Sequence, residues 1–305
     1  MELKDIFKDT MFVFPSYSIN NSFDSFCSNY MINFVSLLDK WNIDSTIKAK
    51  THKTLKCLCQ CIAEYKVGRI DCAIEIFKNT ITDLSVDYYE HNLVDTVFYR
   101  ARYNENSLFA PEDMFHIPYN KRYLVKTERY SYPGLPCLYM ASSKEQCKIE
   151  LGAKDLSELS VAIFKKNNIQ LRIIDLTHFL NIPFSNITID DINRIITSWP
   201  LIAFCSISCD ISNVSQAVGF RAEYVIPQML LNYVLGLHDD NINTSEHIRG
   251  IKYFSVRCNP VDNWIKGYNS AKFQNYVFPA IGPNDHNHCR DLKKWFTFES
   301  FLHTN

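Results

Sequence analysis

Glycine is scarce in this sequence: 305 residues include only eight. No two stand close enough to build a phosphate-cradling loop, so neither G-x-G-x-x-G nor a P-loop occurs. A bound nucleotide must then be held by side chains. No apolar run approaches the roughly 20 residues that span a bilayer, which argues against a membrane role. The formal net charge is −1, so no global field draws nucleic acid or an anionic surface, and no direct nucleic-acid binding is expected. The start, "MELKDIFKDTMFVFPSYS", has acidic residues and no small-residue cleavage site. It reads as a cytoplasmic chain without a secretory leader. The eleven cysteines then read as reduced thiols rather than a disulfide framework.

What is present is ordinary for a globular protein, with 47% apolar and 21% charged residues. The length suits one large domain or two modest ones. The first 95 residues contain only Gly68, and "SFDSFCSNYMINFVSLLDKW" (22–41), "HKTLKCLCQCIAEYK" (52–66) and "IDCAIEIFKNTITDL" (70–84) carry apolar residues at helical spacing. They predict an all-helical N-terminal module over 1–95. From 96 to 305 the pattern is mixed. "TVFYRAR" (96–102) alternates, with Phe98, Arg100 and Arg102 on one face and Val97, Tyr99 and Ala101 on the other. "LPCLYMA" (135–141), "VAIF" (161–164), "LRIIDL" (171–176), "LIAFCSI" (201–207), "GIKYFSV" (250–256) and "NYVFPA" (275–280) read as further strands. Helices are expected over 188–199, stopped by Pro200, and over 223–237 with Pro227 in the first turn. Strands and helices mix without a βαβ rhythm, which predicts an α+β fold rather than a doubly wound sheet.

The stretch "RYSYPGLPCLYMASSKEQCKIEL" (129–151) gathers residue types that carry chemistry. Tyr132-Pro133-Gly134-Leu135 suits a type II turn. Ser142 followed by Glu145 reads as a capping box opening a helix, on which Cys147 and Leu151 share the core face and Glu150 borders it. A carboxylate at the edge of a core stripe is expensive unless it meets a cation or a hydroxyl. Arg129, Tyr139 and Glu150 are therefore expected to converge on one pocket, with Arg100 and Arg102 on the preceding strand. Taken singly, each has a bland reading as a structural ion pair or a core aromatic.

"FYRAR…RYSYPGLPCLYMASSKEQCKIEL", with "EYVIPQMLLNYV", "GIKYFSV" and "NYVFPA" in order behind it, resembles the RES domain family, in its longer, N-terminally extended branch. The likeness covers about residues 97–281. It implies an ADP-ribosyltransferase-like fold and degradation of NAD, as substrate, by phosphorolysis or hydrolysis in a toxin or defence effector. Inorganic phosphate and a cognate antitoxin or defence partner are the implied partners. The family Arg positions match Arg100 and Arg129, its strand tyrosine Tyr139 and its glutamate Glu150. The family serine aligns near Glu223, with Ser206 and Ser255 as other suppliers of a hydroxyl. In this light Glu150 stabilises positive charge on the departing ribose. Arg100, Arg129 and Arg102 hold the diphosphate, and Tyr139 or Tyr130 walls the nicotinamide or ribose. No metal is needed. The acceptor stays open: phosphate, water or a protein side chain.

Competing readings are a zinc site, a cysteine hydrolase and a non-catalytic NAD sensor. "CLCQC" (57–61) and "HNHC" (286–289) lack the spacing of structural zinc modules. No local signature singles out a nucleophilic cysteine. A sensor has no need of Glu150, which is present.

Overall fold

The computed structural model describes residues 2–18, 22–84, 90–104, 109–210, 220–236, 248–258, 260–267 and 270–302. In chain order come β1 (Ser16–Ser18), α1 (Phe23–Lys40), α2 (Ser45–Lys66), α3 (Ile70–Asp83), β2 (Glu90–Asn92), β3 (Val97–Tyr103) and β4 (Cys137–Ala141). Then follow α4 (Lys144–Leu151), β5 (Leu159–Lys166), β6 (Arg172–Asp175), α5 (Ile189–Cys205), β7 (Ser208–Asp210), α6 (Val225–Gly236) and β8 (Ile248–Phe254). The chain closes with α7 (Pro260–Ile265), β9 (Gln274–Pro279), β10 (Asn284–Asp285), β11 (His288–Cys289), α8 (Arg290–Trp295) and β12 (Phe296–Phe301). The architecture is mixed α+β, with N-terminal helices and a mixed sheet.

Contacts divide the chain into two compact units. One comprises Met1–Tyr88, His178–Tyr233 and Asn259–Tyr268; the other comprises Tyr89–Thr177, Val234–Cys258 and Asn269–Asn305. The helical unit thus takes in chain far beyond residue 95.

In the helical unit, Ser22 caps α1 by accepting from the Ser25 amide, and Asp44 caps α2 by accepting from Thr46 and Ile47. The buried positions of α1, Phe23, Cys27, Tyr30, Phe34, Leu37 and Leu38, follow the helical period. Two features differ from expectation. The N-terminal stretch is not all helix, because Ser16–Ser18 pairs in parallel with Ser208–Asp210. Most plainly, α5 does not stop at Pro200, and "LIAFC" is helix rather than strand. Proline removes one helical hydrogen bond, yet every residue from Ile195 to Cys205 is buried. Continuing the helix buries this apolar run, and that gain outweighs one missing bond. A short apolar run alone does not discriminate strand from helix. Trp199 anchors the packing: its ring lies 4.9 Å from Phe12, and its Nε1 donates to the Met11 carbonyl at 3.0 Å. Among the described residues no helix is long and apolar enough to cross a membrane.

The second unit is built on an eight-stranded sheet in the order β12-β5-β3-β4-β9-β8-β6-β2. The β6–β8 pair is parallel and the others are antiparallel. One face carries the main core, including Phe98, Leu138, Met140, Phe164, Tyr276 and Phe278. Gly250 is required on β8: a Cβ there would stand 2.6 Å from the Phe278 ring and 2.8 Å from the Val277 carbonyl. A smaller apolar cluster on the other face joins Leu151 to Tyr99, Ala101 and Val161.

A buried histidine in this unit makes stability depend on pH. His116 is fully buried. Its Nδ1 bonds the Ile117 carbonyl at 2.8 Å, and its Nε2 accepts from the Cys289 amide at 2.8 Å. That pattern fits only the neutral ring. Burial, with help from the charges of His288, Arg100 and Lys293 and against the pull of the Ile117 carbonyl, pushes its pKa down from 6.5 to about 4. The folded value lies below the unfolded one, so this contribution is complete above pH 6.5. It is lost as the pH falls toward 4, at about 1.4 kcal/mol per pH unit and so about 3 kcal/mol in all. Urea unfolding between pH 7 and 4 should show this slope, and His116→Gln should reduce the proton uptake on unfolding by about one.

Candidate active site

The local structure around the Pro-Gly turn follows from the residues. The Leu135 amide donates to the Tyr132 carbonyl at 3.1 Å, and Gly134 has φ of 83°, as a type II turn requires. After β4 the helix begins one residue later than the capping-box pattern predicts. Ser143, not Ser142, is the N-cap and accepts from the Gln146 amide. The Ser142 hydroxyl is taken by the Gln274 amide at 3.1 Å, which leaves the cap to the next serine. Ser143 also donates to the Lys272 carbonyl at 2.7 Å. These two serines staple the start of α4 to the start of β9. Gly152, at φ of 71°, closes the helix.

Glu150 stands in the last turn of α4 and is about one-third exposed. Its Oε1 accepts from Gln146 Nε2 at 2.9 Å and from Asn275 Nδ2 at 2.6 Å. Its Oε2 lies 4.0 Å from the Arg257 guanidinium. The expectation of a cation or a hydroxyl is met differently: two amides hold the carboxylate, and a largely exposed arginine faces its other oxygen.

Register assembles the wall beside it. Ala141 pairs with Asn275, which pairs with Tyr253, so these three share one face across β4, β9 and β8. Tyr139 and Val277 pair on the same face. Burial holds the Tyr253 phenol protonated well above its usual range; the negative charge of Glu150 adds to this, and Arg129 opposes it. Tyr253 thus lies within electrostatic reach of both Glu150 and Arg129. The Tyr130 ring packs 4.5 Å from the Tyr253 ring. Burial likewise keeps Tyr139 protonated, with Tyr253 and Cys137 among its electrostatic neighbours.

Arg100 reaches this region by a different route. The alternation along β3 puts Phe98, Arg100 and Arg102 on one face, with Phe98 in the main core. β3 meets β4 at the single pair Tyr99↔Ala141, and the ladder goes no further. Arg100 crosses to β4 beyond that pair, donating from NH1 to the Tyr139 carbonyl at 2.6 Å. From there its charge lowers the pKa of Cys147 on α4 and of His116 on the core side. Cys147 stands one turn before Glu150, and burial and Glu150 itself contribute to pushing its thiol up to about 12. Burial, then the like charge of Arg102, brings the Arg100 guanidinium down to about 10. The Nε atoms of Arg100 and Arg102 are buried without hydrogen-bond partners, and neither arginine pairs with a carboxylate among the described residues. Two adjacent cations without a counter-ion are suited to an anionic ligand.

The three candidates for the remaining position are divided between the two units. Ser255 belongs to the sheet unit, is fully buried, and its hydroxyl accepts from the Arg257 amide at 3.2 Å. Ser206 and Glu223 belong to the helical unit. There Ser206 is buried at the end of α5. Glu223 is buried too, accepting from the Tyr17 hydroxyl at 3.0 Å and pairing with Arg221 at 2.5 Å. Among the described residues no group of histidine, cysteine and carboxylate side chains is placed to hold a metal.

Gln146, Asn275, Tyr253 and Arg257 are the participants that sequence reasoning missed. Gln146 lies four residues before Glu150 and was legible as its helical neighbour. Asn275, at the head of an apolar strand, carried a weaker signal.

No protein-family model matches the chain. It is 29% identical over 310 residues to the protein named "Putative toxin YopC" from Bacillus subtilis (strain 168), an alignment covering 91% of this chain and 67% of that one. Among solved structures, the M. tuberculosis MbcT-MbcA toxin-antitoxin complex overlaps it slightly, with a TM-score of 0.32 and 11% identity over 71% of this chain and 88% of that chain.

Proposed function

We propose that this chain is an NAD-degrading enzyme that cleaves the nicotinamide–ribose bond and passes ADP-ribose to phosphate or water. The observation that carries the reading is Glu150: a carboxylate pinned by two amides, about one-third exposed, in a tyrosine-walled site within reach of Arg129 and Arg257. Arg100 and Arg102, whose buried Nε atoms have no hydrogen-bond partner among the described residues, supply the charge that a diphosphate needs. The resemblance to RES domains, with their ADP-ribosyltransferase-like fold, agrees with this set. The similarity to a protein named as a toxin suits an enzyme that drains a cofactor from a cell.

In the proposed step the C–N bond to nicotinamide breaks and its electron pair stays on the pyridine nitrogen. Nicotinamide leaves neutral, so it needs no proton. Positive charge develops on the ribose, and Glu150 stabilises that charge while accepting from a ribose hydroxyl. The acceptor oxygen then bonds to the ribose carbon: water releases a proton to solvent as it does so, and phosphate bonds through an oxyanion that carries none. Half-buried Tyr253 and Tyr139 offer aromatic surface to the substrate, and fully buried Tyr130 backs the Tyr253 ring. Of the three candidates for the remaining position, Ser255 stands beside Arg257 and is the one we assign. A cytoplasmic site of action and an antitoxin partner that restrains the enzyme complete the proposal.

Purified protein incubated with NAD should release nicotinamide. With phosphate, mass spectrometry should find phosphorylated ADP-ribose; without it, ADP-ribose. Label passing instead to added protein would favour a protein ADP-ribosyltransferase, and intact NAD with measurable binding would favour a sensor.

A further inference from the structure

Asn275 and Gln146 are buried amides, 5% and 0% exposed, in a face otherwise built from apolar and aromatic residues. Buried amides are costly unless they are bonded. Here they bond each other and Glu150. Gln146 Nε2 donates to Asn275 Oδ1 at 3.2 Å as well as to Glu150 Oε1, and Asn275 Nδ2 closes the triangle on the same Oε1. A carboxylate held by two donors on one oxygen has lost its freedom to rotate. Its second oxygen is turned toward the open side, where Arg257 stands.

The bonds that set this triangle are themselves tied down. Ser142 fastens the start of α4 to the strand that carries Asn275, and Ser143 fastens it to the turn just before that strand. Gln146 follows one turn behind the cap, and Glu150 one turn later. Helix and strand are therefore in fixed register at the one place where the carboxylate needs it. An ion pair with Arg257 alone, at 4.0 Å and on an arginine more than half exposed, would hold Glu150 far less firmly.

We propose that Asn275, braced by Gln146, is the positioning residue for Glu150, fixing which carboxylate oxygen faces the ribose. This rests on the NAD-cleaving reading above. Asn275→Ala should lower kcat about 10–100-fold, since small misplacements of a catalytic group are that costly, and change KM less than about threefold. Gln146→Met, which keeps shape without a donor, should act in the same direction and covers the chance that Asn275→Ala folds poorly. The deciding measurement is a double-mutant cycle: in a Glu150→Gln background, Asn275→Ala should cause almost no further loss. The urea midpoints of wild type, Asn275→Ala, Glu150→Ala and their double variant should be non-additive, because Asn275→Ala and Glu150→Ala each remove the same bond. Unchanged kcat in Asn275→Ala and Gln146→Met, or a full extra loss in the Glu150→Gln background, overturns the positioning role while the NAD reading stands. Additive midpoints overturn the clamp itself, whatever the activity. A wild type that leaves NAD intact overturns the NAD reading and the positioning role together.

Discussion

Glu150→Gln lowers the rate of NAD cleavage by about 10²–10³-fold, the usual loss when a preorganised electrostatic group is removed. The substitution keeps size and leaves hydrogen-bonding atoms in place but removes the negative charge. NAD already carries a positive pyridinium ring in the ground state, so some binding is lost. The larger loss falls on kcat, because the ribose gains its positive charge only as nicotinamide departs. The variant should fold. Glu150 is partly exposed, and glutamine still offers an oxygen to Gln146 and Asn275. In bacteria the wild type should deplete NAD and slow growth, and Glu150→Gln should relieve both. The check is NAD consumption by both proteins at matched folded fractions. Equal rates would make Glu150 the structural acid of an α4–β9 contact and nothing more.

Arg100→Gln should weaken NAD binding as well as turnover, lowering kcat/KM by about 10–100-fold, the worth of one or more charge-assisted bonds to a diphosphate. The diphosphate is charged in ground and transition states alike, so KM rises here, unlike in Glu150→Gln. Stability separates this from a structural role. Arg100 is held in a partly buried site beside the like charge of Arg102, without a carboxylate partner among the described residues. Removing its charge relieves desolvation and repulsion, and glutamine retains a donor for the Tyr139 carbonyl. The thermal midpoint should therefore stay within a few degrees of wild type. Such strain tolerated for a ligand is a common stability–activity exchange. Arg129→Ala should move KM in the same direction. Steady-state kinetics and melting curves on the same preparations decide it: a fall in midpoint with kcat/KM intact would assign Arg100 to holding β3 against β4.

Much of the local structure was legible in the residues. Gly134 after Pro133 dictated the turn, because few other residues adopt its positive φ. The apolar spacing of 22–41, 52–66 and 70–84 dictated three helices, and the alternation in "FYRAR" separated Arg100 and Arg102 from Tyr99. Two readings failed where local rules met tertiary burial. Pro200 reads as a stop, yet the helix runs through it because the run beyond it is buried. Ser142 reads as the cap, yet a strand amide from residue 274 claims its hydroxyl and the cap passes to Ser143.

What the sequence by itself determined is the inventory of chemistry: too few glycines for a phosphate loop, and an arginine strand, a tyrosine strand and a glutamate helix in succession. These follow from short-range rules of turn, period and cap, which need no knowledge of distant partners. The tertiary structure alone decided what each charge meets. Glu150 and Asn275 lie 125 positions apart, and only the pairing of β4 with β9 brings them to 2.6 Å. Only the one-pair junction of β3 with β4 lets Arg100 reach the Tyr139 carbonyl. Ser206 and Glu223 are likewise assigned to the helical unit by its packing, since residues 178–233 return to the N-terminal helices. Burial and cross-strand register are properties of the whole packed chain, and no window of sequence contains them.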